Sequence, residues 1–269
     1  QAFLRPCPVE SRSVKKNLKF SCKTAIGNNS VTAACERSRI RIMEKPREPL
    51  PFDVEYFRKL ADRGIRYTTG DVFTRIYESN LWSGRSSKSG QGSDGGQTGE
   101  VAAALKRLVS AYGVRVLLDL PCGDFNWMKS VDLDIDRYIG GDIVPEIIAL
   151  NRKMHGSAAR DFRVLDITAG PLPDADLLLC RDCLVHLSND DVLKALSVIR
   201  GSGIRYLFST TFTECESNRD IVTGDWRVIN LEKAPFDLPQ PLELVNERCT
   251  EGGGTYADKS LGLWRIADL

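Results

Sequence analysis

Short continuous apolar runs alternate with amphipathic stretches along this chain, and that alternation restricts its fold more than any other feature. Val114–Leu120 (VRVLLDL), Arg137–Gly141, Phe162–Asp166, Ala175–Cys183 (ADLLLCRDC) and Ile204–Thr211 read as five strands, and Leu242–Cys249 and Gly262–Ala267 as two more. Glu100–Tyr112, Val144–His155 and Asn189–Arg200 fall between them and read as helices. Gly113 can end the first of these, Pro145 sits well in the first turn of the second, and Ser188 or Asn189 can cap the third. A run such as VRVLLDL has no polar face, so the strand must be covered on both sides. Strands of this kind joined through helices predict an α/β fold: a Rossmann-like, doubly wound, mostly parallel seven-stranded sheet with helices on both faces. Ligands of such sheets sit outside the carboxyl ends of the strands, where the winding reverses.

Three segments are expected. Residues 1–50 lack sustained periodicity and end in Pro46 and Pro49, which predicts a disordered basic leader. Residues 51–100 hold two amphipathic helices, Phe52–Ala61 and Asp71–Ser79, and a Gly/Ser-rich loop over 83–99. Residues 101–269 form the core domain. The formal net charge of +1 hides an asymmetry: residues 1–43 carry nine Lys/Arg and two acids, whereas the rest carries 28 basic and 34 acidic groups. A basic, acid-poor leader with Ser and Thr fits an organelle transit peptide or a plain basic tail. A soluble intracellular location is expected, in the cytoplasm or, if the leader is a transit peptide, in a plastid or mitochondrion. The chain begins with Gln, so its true start is left open. No apolar stretch has the length of a membrane helix, and the near-neutral total gives no reason to expect nucleic acid as a partner. Eight cysteines include one close pair, Cys180 and Cys183. With two histidines and no second pair, no metal site is expected.

The strand ends carry the chemistry. Asp119-Leu-Pro-Cys-Gly-Asp124 follows the first strand; Gly123 there either lets a ligand approach the backbone or serves a tight turn. The dinucleotide pattern G-x-G-x-x-G is absent, which argues against a dehydrogenase. Asp142 follows the second strand, where an acid either accepts from a ribose diol or caps the next helix. Asp166-Ile-Thr168 follows the third and can meet an adenine or cap a turn. Arg181, Asp182 and His186 crowd the end of the fourth; His186 is either catalytic or a satisfied polar group near a helix start.

At this level of detail the chain resembles class I S-adenosylmethionine-dependent methyltransferases. The likeness rests on Asp119–Met128 (DLPCGDFNWM), Asp142–Ile147 (DIVPEI), Cys180–Ser188 (CRDCLVHLS), Thr223–Arg227 (TGDWR) and Ala257–Trp264 (ADKSLGLW). It is nearest to a subgroup with a D-x-P-C-G-D-F-x-W-M first motif and covers about residues 70–269. Trp82–Ser93 is similar to the Trp-plus-Ser/Gly loop that precedes the core there. The resemblance implies that Asp119 and Gly123 contact the methionine portion, Asp142 the ribose, and Asp166 with Ile167 the adenine. His186 falls where related enzymes carry a residue beside the transferred methyl. Pro121 and Phe125 replace glycines of the commoner loop, so the path of this turn is an open point.

The expected cofactor is S-adenosyl-L-methionine, bound by Asp119, Pro121, Cys122, Gly123, Asp142, Ile143, Asp166, Ile167, Arg181 and Trp82. His186 or Asp182 is the expected general base. Trp226 and Arg227 are expected at the substrate, or else as a packed Trp and a solvated Arg. The loop over 83–96 is a lid or a disordered insertion. The acceptor is expected to be a small molecule or glycan. A non-catalytic binding module, and a nucleic-acid methyltransferase using the basic leader, are the alternatives.

Overall fold

The computed structural model describes residues 53–84, 86–93 and 96–269, so the expected leader and its transit-peptide reading lie outside the described residues. Five helices are present among the described residues: α1 (Tyr56–Ala61), α2 (Thr69–Ser79), α3 (Gly99–Tyr112), α4 (Pro145–His155) and α5 (Asn189–Arg200). Seven strands are β1 (Val116–Asp119), β2 (Arg137–Asp142), β3 (Arg160–Val164), β4 (Leu177–Cys180), β5 (Tyr206–Phe212), β6 (Glu243–Asn246) and β7 (Lys259–Arg265).

Local chemistry sets the boundaries. Gly113 closes α3 in the left-handed conformation, which a glycine adopts without penalty. Pro145 occupies the first turn of α4, where its missing N–H costs nothing. The Ser188 hydroxyl accepts from Asp191 N and caps α5. The fourth strand is shorter than the apolar run suggests. Asp176 turns its carboxylate back to the N–H groups of Arg115 and Val116, and Asp182 takes a left-handed φ of 51° that ends the extended path.

The strands form one sheet in the order β3-β2-β1-β4-β5-β7-β6, and only β7 runs antiparallel to its neighbours. Alternate residues feed two cores. Leu117, Leu177, Leu179 and Phe208 meet α3 and α4 on one face. Leu118, Leu178, Cys180 and Leu207 meet α5 on the other. This two-sided burial is what the uninterrupted apolar runs require. The winding reverses between β1 and β4, so the crevice lies at their carboxyl ends.

Candidate active site

The turn after β1 is fastened from three sides. Cys122 N donates to Gly141 O at 2.7 Å, joining the turn to β2. Asn151 Nδ2, from the inner side of α4, donates to Gly123 O at 2.7 Å. Gly123 N donates to Asp142 Oδ2 at 3.2 Å. Gly123 has φ 51°, and a Cβ there would lie 2.0 Å from Ser89 Oγ. The glycine is therefore needed by the Ser/Gly loop that seats on it. Phe125, in place of a family glycine, is also left-handed at φ 55°. Its ring packs at 5.0–5.2 Å from those of Tyr138, His155 and Phe162, and that packing offsets a backbone cost of about 1–2 kcal/mol.

Asp119 is 3% exposed, and Tyr138 Oη donates to its Oδ2 at 2.6 Å. Burial, with Asp142 nearby, pushes its carboxyl up to about 7 against the Tyr138 hydrogen bond and Arg181. Asp142 is raised to about 6, again by burial, while backbone N–H donors at Gly123, Ile143 and Val144 oppose the shift. Its Oδ1 takes Val144 N at 3.0 Å, so the residue steadies the entry to α4 while also facing the crevice. Asp166 stands two residues beyond β3 rather than within it. Its Oδ1 accepts from Thr168 N and Oγ1, a local turn that fixes Ile167 between them.

The ten residues expected around the cofactor, from Trp82 to Arg181, all line one cleft at the strand tips. It holds about 1020 Å³ of empty space, its solvent-open mouth included. The Ser/Gly loop borders it and is tied down: Ser87 Oγ and Lys88 N donate to the two oxygens of Asp124, Asp124 N donates to Ser89 Oγ, and Arg181 Nη2 donates to Gly92 O. Phe73, Ile76 and Tyr77 of α2 and Trp127 complete the wall. The sequence reading did not select them. The amphipathic pattern of α2 gave it an apolar face, including Ile76 and Phe73, but not what that face would meet.

A second cleft adjoins the first, sharing Trp82, Ser89 and Asp182 with it. His186 and Trp226 line it, with Phe212, Tyr256, Glu251 and Lys259. His186 is 7% exposed and stacks on Trp82 at 4.1 Å between centroids. Its Nδ1 lies 3.0 Å from Asp225 O; a carbonyl only accepts, so Nδ1 carries the proton and Nε2 the lone pair. Burial holds the imidazole down at about 4, keeping it neutral near pH 7. Asp182 behaves differently. Although burial opposes it, Lys259 Nζ at 2.8 Å and Arg181 Nη1 at 3.3 Å hold its carboxyl well below the usual range. A carboxylate so paired keeps its charge, whereas His186 offers a neutral imidazole with a lone pair at Nε2.

Arg227 corrects a further expectation. It is 1% exposed and borders neither cleft. Its guanidinium donates to Leu184 O, Arg219 O and Asn189 Oδ1, and its N–H to Val185 O. It braces the turn Leu184–His186 from within the core and is not a solvated Arg. The neighbouring Gly224-Asp225 fastens α1: Asp225 accepts from Phe57 N and Arg58 N, and a Cβ on Gly224 would strike Phe57 and Val72 at 2.5 Å.

No protein-family model and no curated protein sequence matches the chain. Solved structures do. The N-methyltransferase NodS from Bradyrhizobium japonicum WM9, in complex with S-adenosyl-l-homocysteine, aligns at a TM-score of 0.51 and 14% identity over 74% of this chain and 98% of its own. PigF, solved with SAH, aligns at a TM-score of 0.52 and 15% identity over 77% of this chain and 65% of its own. At such identities the likeness is one of fold. The chain has the α/β, Rossmann-like fold of class I methyltransferases.

Proposed function

We propose that this chain is an S-adenosylmethionine-dependent methyltransferase that holds its cofactor in the strand-tip cleft and a small-molecule acceptor in the adjoining one. The observation that carries this reading is the meeting of Asp119, Gly123, Asp142 and Ile167 in one cleft that shares a wall with a second. Two proteins of the same fold, NodS and PigF, were solved with the demethylated cofactor, which supports the assignment.

The donor set suits that cofactor. Asp142 would take the ribose hydroxyls: each oxygen already accepts one backbone N–H and retains capacity for another donor. Asp119, raised in pKa by burial, would regain its charge beside an amino group. Ile167 and Ile143 would pack on the adenosine, with Asp166 near its amino edge. S-adenosylmethionine, when bound, supplies an electrophilic methyl.

The chain's own residues then position and dry the acceptor. The seated loop and Trp82 exclude water. The Trp82 stack and the Asp225 carbonyl fix the ring of His186, leaving Nε2 to accept a proton from the acceptor. Asp182, permanently ionised, contributes an acceptor oxygen at the shared wall.

The test is transfer of a labelled methyl from S-adenosylmethionine into a low-molecular-weight metabolite extract, with the product identified by mass. Labelled product, lost in Asp142→Ala, is expected. Full cofactor affinity with no transfer across the extract would replace the enzyme by a binding module.

A further inference from the structure

The acceptor cleft has a chemical bias of its own. Phe212, Trp226 and Tyr256 pack edge to face, at 5.0–6.2 Å between centroids and 68–86° between planes. They come from the end of β5 and from two loops, and all three border the cleft. Aromatic faces attract cations through their quadrupole. The charged groups beside them add to this. Arg181 and Lys259 face Asp182, Glu247 and Glu251, two cations against three carboxylates, so the cluster carries a formal net charge of −1.

Both cations are paired within the cluster. Lys259 Nζ lies 2.8 Å from Asp182 Oδ2, 3.6 Å from Glu247 Oε2 and 3.8 Å from Glu251 Oε2. Arg181 gives its donors to Glu247 Oε2 and Gly92 O. Asp182 and Glu251 both border the cleft, while Glu247, whose Oε1 is buried with no hydrogen-bond partner among the described residues, does not border it and adds its charge from behind. The lone pair of His186 Nε2 is a further acceptor, since the proton sits on Nδ1. An entering anion would meet Lys259 already neutralised by Asp182, with carboxylate and imidazole lone pairs around it. An entering cation would find aromatic surface and carboxylates together on one wall.

We infer that the second cleft recognises an acceptor bearing a positive charge, an ammonium or guanidinium carried on an apolar or aromatic body. This rests on reading that cleft as the acceptor site of a methyltransferase, and it deepens that reading by naming the substrate class.

Three probes of one shape separate the possibilities: tyramine (cationic), 4-ethylphenol (neutral) and 3-(4-hydroxyphenyl)propionate (anionic). Each is titrated calorimetrically into the protein with and without saturating S-adenosylhomocysteine, which is also titrated alone. Tyramine is expected to bind about tenfold tighter than 4-ethylphenol, with the anion weakest. Glu251→Gln, at a partly exposed position, is expected to reduce that preference severalfold without loss of S-adenosylhomocysteine binding. Equal affinities, an anion ranked first, or no binding by any probe to the S-adenosylhomocysteine-loaded protein would overturn the inference while the cofactor reading stands. A cation preference in a protein that fails to bind S-adenosylhomocysteine would leave a cation-binding cleft but remove the cofactor reading and, with it, the naming of the ligand as a methyl acceptor.

Discussion

Arg227 carries a guanidinium into the core with no carboxylate bonded to it among the described residues. Burial lowers its pKa to about 10, so it stays charged near pH 7, held by two carbonyls and an amide oxygen. Replacing it with Met leaves Leu184 O with Leu187 N alone and takes the guanidinium from Arg219 O and Asn189 Oδ1, and urea unfolding of Arg227→Met is expected to show a loss of about 2–3 kcal/mol. Trp226→Leu, at a half-buried position on the cleft, is expected to cost less than Arg227→Met, though it removes acceptor contact. A different outcome attaches to His186. His186→Asn is expected to lower kcat by about 10²–10⁴-fold, with S-adenosylhomocysteine affinity within about twofold of the parent. Loss of affinity in equal measure would mark the residue as part of the cofactor cleft instead. Adjacent residues such as Trp226 and Arg227 cannot be separated by sequence, because which of two neighbours faces inward depends on the turn their backbone meets, here Leu184–His186.

Among the elements, the first half of the Ser/Gly loop is fastened mainly through one residue. Asp124 receives Ser87 Oγ and Lys88 N and gives its own N–H to Ser89 Oγ. Asp124→Ala is expected to raise hydrogen exchange across residues 86–93 and to speed dissociation of S-adenosylhomocysteine, with the core strands unaffected. Unchanged exchange there would show that the loop is held by its packing on Trp82. The apolar pattern made the parallel strands, α3 and α5 legible, because each must bury a defined face. It placed the third strand two residues late, since Arg160, Asp161 and Arg163 give β3 polar ends and only Phe162 enters the core. It also started β7 at Gly262 rather than Lys259, because Lys259 and Ser260 are buried polar residues, satisfied by partners elsewhere in the chain. That nine of the ten residues meet in one strand-tip cleft was legible because they follow strands; Trp82 alone comes from the loop after α2. The second cleft was legible in part, through Asp182, His186 and Trp226, but Phe212, Glu251, Tyr256 and Lys259 join them only through the antiparallel β5–β7 pairing.

At the scale of the molecule, the strand-tip cleft stores two carboxyls raised by burial, Asp119 to about 7 and Asp142 to about 6. A folded pKa above the ordinary 3.8 means the native state holds protons that the unfolded chain has released, so these groups weaken the fold as pH rises from about 4 to 7. Asp119→Asn removes one of them. Its stability relative to the parent is expected to rise between pH 5 and pH 8 by a few kcal/mol, read from urea midpoints; a falling difference would contradict the raised pKa. The same groups must ionise to receive an amino group or ribose hydroxyls. Cofactor affinity is therefore expected to drop as pH falls below 6, with proton release on binding visible in the buffer dependence of the heat.

The whole account turns on Asp142 and its neighbours forming a nucleoside site, and calorimetric titration with S-adenosylhomocysteine tests this most directly. Binding at one site per chain is predicted, weakened about 10–100-fold in Asp142→Ala through loss of charged hydrogen bonds, with circular dichroism unchanged. A folded parent protein that takes up no S-adenosylhomocysteine, or a variant that binds it as well as the parent, would contradict the assignment.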